Sequence, residues 1–179
     1  CCTAALAACS PQPAASDNHA ASAVAAAASE AGSVTIDTAR GEATVPANPE
    51  RIAVYDWGML DTLGKLGVDV GATTTNIRLG YLQDAARNMQ PVGTLFEPDY
   101  EALHAFAPQL IITGSRTAPA FEQLGKLAPT IEMTADTTKM RESTEALIDA
   151  FAKIFHKDAE AAALKQEINE SFAAAKAAA

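Results

Sequence analysis

From Ser33 onward, the apolar and polar positions of the chain alternate between two rhythms. "SVTIDTARGEATVP" alternates residue by residue around Ala39-Arg40-Gly41, which predicts a β-hairpin. "RIAVY" (51–55) is a short apolar run after Pro49 and reads as a strand. In "WGMLDTLGKLG" (57–67) the leucines Leu60, Leu63 and Leu66 recur every three residues and Gly67 ends the run, as in a helix closed by glycine. "VDVGATTT" (68–75) predicts the next strand, residues 80–88 a helix, and "MQPVG" a brief extended piece. "PDYEALHAFA" (98–107) predicts a helix opened by Pro98-Asp99, with Glu101 placed to meet the positive end of the helix dipole. "QLIIT" predicts a strand, "PAFEQLGKLA" (119–128) a helix and "TIEM" (130–133) a strand. Residues 142–179 are helical throughout by propensity, with a break near His156-Lys157-Asp158.

The order of these elements carries the architecture. "LGKLG" (63–67) and "LGKLA" (124–128) each close a helix before a strand. Short strands alternating with helices of about ten residues are the pattern of βα units, and they predict an α/β fold with a mostly parallel sheet flanked by helices. Ligands of such sheets sit outside the carboxyl ends of the strands. Asp56 and Trp57 come just after "RIAVY", and Arg116 just after "QLIIT", so all three belong to that rim.

The first 32 residues have a different composition. "CCTAALAACS" is small and apolar and has no initiator Met, so residues 1–9 read as the end of a secretory signal whose basic start is missing, closing in Leu6-Ala7-Ala8-Cys9. Leu-Ala-Ala-Cys in that position resembles the lipobox of bacterial lipoproteins, in which the cysteine is lipidated and its acyl chains anchor a soluble domain. The stretch is too short to span a bilayer, which needs about 20 apolar residues. Residues 10–32 are Ala/Ser/Pro-rich and predict a flexible tether that carries His19. All three cysteines fall at positions 1, 2 and 9, so a fold beginning at Ser33 contains neither disulfide nor Cys-ligated metal.

Charge narrows the range of ligands. The net charge is −9 and the isoelectric point about 4.7. Nucleic acid is excluded, because it calls for a basic stripe. An anion must instead be gripped by a few local cations against the overall field. Arg116 is such a cation; read alone it could equally be a loop arginine facing water or pairing with an acid. Trp57 could equally be a half-buried core aromatic. His104, His156 and Asp61 fall in helical patterns as ordinary surface groups.

At these residues the chain resembles a family. "PERIAVYDWGMLDTLGKLGVDVGA", "VGTLFEPDYEALHAFAPQLIITGSR" and "LAPTIEM" are similar to the amino-terminal lobe of periplasmic substrate-binding lipoproteins for iron–siderophores, the ferric enterobactin and catecholate branch in particular. The resemblance covers about residues 45–155. It implies a two-lobed fold joined by one long helix, with ligand in the cleft. On that reading 33–157 is the amino-terminal α/β lobe, 158–179 is the start of the connecting helix, about 30 Å long at 1.5 Å per residue, and the second lobe is absent from this chain. The resemblance also implies that Arg116, the arginine of the "I-I-x-G-x-R" motif, belongs to a basic cluster facing the anionic catecholates. A ferric tris-catecholate carries about three negative charges, and guanidinium offers its oxygens a rigid fork of donors. Trp57 and Tyr81 are candidates to lie against catechol rings, and Arg78 is a candidate second cation.

The implied function is delivery of a ferric catecholate siderophore to an ABC-transporter permease in the inner membrane. The implied protein is a monomer with no intrinsic cofactor, anchored in the cell envelope through lipid on Cys9. A haem- or cobalamin-binding protein of the same superfamily is the alternative. The sequence contains no G-x-S-x-G elbow and no glycine-rich phosphate loop, and its nucleophiles are not clustered with a histidine, so no enzyme is expected. Three scattered histidines do not suggest a zinc or manganese site.

Overall fold

The computed structural model describes residues 32–178. Cys9 and residues 10–31 of the expected tether lie outside the described residues.

The chain opens with the expected hairpin. Strands β1 (Ser33–Thr38) and β2 (Gly41–Pro46) pair antiparallel, with Val34 opposite Val45 and Ile36 opposite Ala43. Gly41 has φ +98°, a conformation that glycine adopts without penalty. The hairpin forms its own two-stranded sheet and buries Ile36 and Val45 in the main core.

The main sheet has five parallel strands in the order β5-β4-β3-β6-β7. They are β3 (Ile52–Tyr55), β4 (Ala72–Thr73), β5 (Gln90–Pro91), β6 (Leu110–Thr113) and β7 (Thr130–Glu132). Between and after them run helices α1 (Trp57–Lys65), α2 (Gly80–Ala86), α3 (Tyr100–Phe106), α4 (Phe121–Leu124), α5 (Met140–Phe155) and α6 (Asp158–Ala177). The central strands are buried on both faces, as a parallel sheet requires. Ile52 and Val54 of β3, with Leu110 and Ile112 of β6, join one core with leucines of α1 and with Phe151 and Phe155 of α5. The intervening residues Ala53, Tyr55 and Ile111 face the other way, against Leu103 of α3 and Leu124 of α4. The two-residue period of the strands thus divides the apolar side chains between two helical layers.

Most predicted elements end a residue or more early, and two differ for reasons the structure makes plain. The strand expected over 68–75 is reduced to Ala72–Thr73, because both of its ends are bonded elsewhere. The Val68 N–H bonds back to the Leu63 carbonyl at the end of α1, while Thr75 N–H turns to the Gly93 carbonyl (2.7 Å). The helix expected over 119–128 is a 3₁₀ turn (Ala118–Ala120) followed by α4, with Leu124 buried as its anchor. Its α-helical part ends at Gly125, the poorest helix former apart from proline. The expected break near 156–158 is present: His156 takes a left-handed conformation (φ 54°) at the end of α5, and α6 begins at Asp158.

Candidate ligand-binding site

Strand order locates the site. After β3 the chain moves outward to β4 and β5, then crosses back to lay β6 on the other side of β3. The reversal between β3 and β6 is a topological switch point, where the loops leaving two adjacent strands diverge and open a crevice at their carboxyl ends. The residues there are Asp56-Trp57 after β3 and Gly114-Ser115-Arg116-Thr117 after β6.

Each of these residues is held for a local reason. Asp56 caps α1, its carboxylate accepting from the backbone N–H groups of Gly58 (2.9 Å) and Met59 (3.1 Å). The same carboxylate packs on Gly114: a Cβ built there would lie 2.5 Å from its Oδ2, so only glycine allows the two loops to approach so closely. Trp57 is half-buried in the first turn of α1, and its indole N–H donates to the Thr74 hydroxyl (3.0 Å) in the loop leaving β4. Thr117 is buried, and its hydroxyl lies 2.6 Å from the Leu95 carbonyl and 3.3 Å from the Tyr55 carbonyl. That contact ties the β6 loop to the loop leaving β5.

Residues 92–99 leave β5 in a tightly pinned turn. Gly93 has φ +99°, and a Cβ there would meet Asp99 N at 2.4 Å and Glu97 O at 2.5 Å. The Thr94 hydroxyl accepts from Phe96 N (3.3 Å) and Glu97 N (3.0 Å), and Thr94 N donates to the Glu97 carbonyl (2.9 Å). The buried Tyr55 hydroxyl donates to the Val92 carbonyl (2.8 Å) at the root of the turn. Burial first, then the nearby Tyr100 and Asp99, push the Tyr55 phenol well above its ordinary pKa, so it remains a neutral donor.

The electrostatics of the rim are set by its arginines. Of the six arginines in the chain, four are engaged. Arg40 pairs with Glu132 (2.6 Å) at the carboxyl end of β7 and lies 4.1 Å from the Phe121 ring centroid. Arg51 donates to the Ala107 carbonyl, Arg87 pairs with Asp84 and Arg141 with Glu145. Arg78 and Arg116 are exposed and, among the described residues, neither has an ion-pair or hydrogen-bond partner for its guanidinium. Both follow carboxyl ends of sheet strands, Arg78 in the loop after β4 and Arg116 in the turn after β6. A protein of net charge −9 therefore presents two unengaged guanidinium groups on one edge of its sheet.

The fold brings Trp57, Arg78 and Arg116 to the carboxyl rim. Tyr81 is 60% exposed in the first turn of α2 and lines a groove of about 300 Å³ beside Leu60, Asp61 and Lys65 of α1; Trp57, Arg78 and Arg116 are not part of that lining. Larger grooves lie elsewhere, about 530 Å³ between the hairpin and α5 and about 520 Å³ between α1, α5 and α6. Neither is lined by Trp57, Arg78 or Arg116; the first also touches Met133 and Thr134, just past the carboxyl end of β7. No cluster of three His, Cys, Asp or Glu able to hold a metal ion occurs among the described residues. Sequence reasoning missed Thr117, Gly114 and Phe96. The "G-S-R-T" run contained the first two but gave no sign that Thr117 would reach a loop 22 residues away.

Comparison with known proteins agrees with the fold. The sequence profile of a periplasmic binding protein family matches residues 52–179. The petrobactin-binding protein YclQ of Bacillus subtilis is 37% identical over 117 residues, 64% of this chain and 37% of the relative. The Fe(3+)-citrate-binding protein YfmC of the same organism is 34% identical over 119 residues, 64% of this chain and 36% of the relative. The crystal structure of YclQ superposes with a TM-score of 0.76 at 32% identity, covering 79% of this chain and 52% of that one. The periplasmic catecholate-siderophore binding protein VctP of Vibrio cholerae superposes with a TM-score of 0.73 at 28% identity, covering 80% of this chain and 52% of VctP. The chain thus spans about half the length of these solved structures and a little over a third of the curated relatives.

Proposed function

Because this chain belongs to the periplasmic binding protein family, we propose that its carboxyl rim is one wall of a cleft that binds a ferric siderophore of the catecholate type for delivery to an ABC-importer permease. Residues 33–157 act as the amino-terminal lobe, α6 begins the connection to a second lobe, and the ligand is held between the two. Lipid on Cys9 anchors the protein in the cell envelope. The ligand arrives as a preformed iron chelate, so the rim supplies charge and surface rather than metal ligands, and no catalytic step is assigned to it.

The observation that carries this reading is the unengaged Arg116 guanidinium at the switch point. The backbone on either side of it is fixed, by Gly114 against Asp56 and by Thr117 against Leu95. A cation rooted beyond a buried strand is held more rigidly than one on a long loop. A trianionic tris-catecholate offers it charge-assisted hydrogen bonds. Arg78 adds a second cation, and Trp57 adds an aromatic surface fixed by Thr74. Relatives named for petrobactin and catecholate siderophores support the ligand class, and the citrate-binding relative marks the main competing chemistry.

Arg116→Ala in the whole gene product tests the reading. One charge-assisted contact in a cleft partly emptied of water is worth about 1.5–3 kcal/mol, or roughly tenfold to a hundredfold in affinity. Fluorescence quenching by ferric enterobactin, ferric citrate, a neutral ferric hydroxamate and haem gives the comparison. The loss is expected to be largest for the catecholate, and Arg116→Lys is expected to recover only part of it, keeping the charge without the fork. Unchanged catecholate affinity in a normally melting Arg116→Ala protein, or wild-type preference for haem, overturns the proposal.

A further inference from the structure

Phe96 is the most exposed of the large hydrophobic residues described, at 69%. Its position makes that exposure unusual. Fully burying such a side chain is worth about 1.5–3 kcal/mol, and a slack loop could fold the ring down cheaply. This loop is not slack: Thr94 holds the backbone N–H of Phe96 itself, Gly93 and Pro98 pair across the turn, and the preceding carbonyl, Leu95, accepts from Thr117. The next residue back from Thr117 is Arg116. An unpaired aromatic ring and an unpaired guanidinium therefore stand one residue from the two ends of a single 2.6 Å hydrogen bond.

We infer that Phe96 is the residue that selects for aromatic chelating arms: an aryl ring of the ligand packs against Phe96 while its anionic oxygens meet Arg116. The inference rests on the ferric-siderophore reading above and specifies it. Arg116 by charge alone accepts any anionic iron complex, citrate included. Phe96 separates them, because a flat aryl arm gains ring-to-ring contact and an aliphatic carboxylate does not. The pinned turn fixes the backbone that carries the ring, so binding costs side-chain rotation but no ordering of the loop.

The test compares Phe96→Ala, Phe96→Leu and Phe96→Trp in the whole gene product, titrated with ferric enterobactin and with ferric citrate. Phe96→Ala is expected to weaken the catecholate about three- to tenfold and citrate less than about twofold. Phe96→Leu, apolar but not flat, recovers little, and Phe96→Trp retains wild-type affinity. Because the ring is exposed, melting temperatures stay close to wild type. Equal losses for both ligands would make Phe96 a contact for lobe closure, and no loss for either would make it a bystander; both results overturn the inference. Enterobactin binding that is sensitive to Arg116→Ala but indifferent to Phe96→Ala refutes this inference alone. A wild type that binds citrate and not enterobactin refutes it together with the catecholate reading.

Discussion

Replacing Tyr55 with phenylalanine is expected to destabilise the lobe at neutral pH and to stabilise it in alkali. Tyr55 is fully buried, and its hydroxyl donates to the Val92 carbonyl at 2.8 Å. Val92 keeps a second partner in the Asp99 N–H (3.0 Å), so deleting the hydroxyl leaves no orphaned acceptor. The cost at pH 8 is therefore that of one ordinary hydrogen bond, about 1 kcal/mol, or roughly 3 °C in melting temperature for a lobe of this size. Burial raises the folded-state pKa of the phenol above its unfolded value. The associated stability is thus complete below the unfolded pKa of about 10 and is lost above it, because the unfolded chain ionises first. The loss approaches about 1.4 kcal/mol per pH unit. The Tyr55→Phe variant has no phenol to ionise, and the remaining titrating groups are shared and cancel in the difference. The two stability curves should cross between about pH 10.5 and 11. Urea unfolding at pH 8, 10 and 11, followed through Trp57, the only tryptophan of the 179 residues, measures this. A stability difference constant from pH 8 to 11 would refute the claim that Tyr55 is a buried neutral donor, and with it the fixed root assigned to the Phe96 turn.

Three further outcomes are expected. Gly114→Ala drives a Cβ to 2.5 Å from Asp56 Oδ2, so the carboxylate must swing out and give up the cap of α1; denaturant titration should register a loss of about 0.5–2 kcal/mol, and a variant as stable as wild type would show that the two loops are not in contact. Ala107, at the end of α3, sits in the left-handed region (φ 50°, ψ 63°), so Ala107→Gly should raise stability by about 0.5–1 kcal/mol; a lower melting temperature contradicts that conformation. Cys9→Ala should move the protein from the membrane fraction to the soluble one and abolish incorporation of labelled fatty acid, and continued sedimentation with membranes would dismiss the lipid anchor.

The pattern of apolar residues was sufficient to identify the hairpin, the alternating βα units, the parallel sheet and the break at His156, because each depends on neighbours a few positions away. Three leucines spaced by three specify a helix face, and Asp56 or Asp99 before a helix specifies its start. The rim position of Arg116 followed from the same local reading, once parallel strands were inferred. Where locality failed, the expectations failed with it: "VDVGATTT" carries two valines and three threonines that favour a strand, yet its ends are bonded to Leu63 and Gly93, and two residues remain in the sheet. Strand order was likewise invisible. Nothing local places β6 beside β3, and that adjacency creates the crevice. Only the tertiary structure shows that Arg40, which resembles Arg116 in sequence terms, is neutralised by Glu132, 92 residues away, while Arg116 is left unengaged. Only the tertiary structure joins Thr117 to Leu95, the residues that follow Arg116 and precede Phe96. Periodicity records which side chains must leave water; which distant partners they and their polar neighbours then meet depends on the packing of the whole lobe.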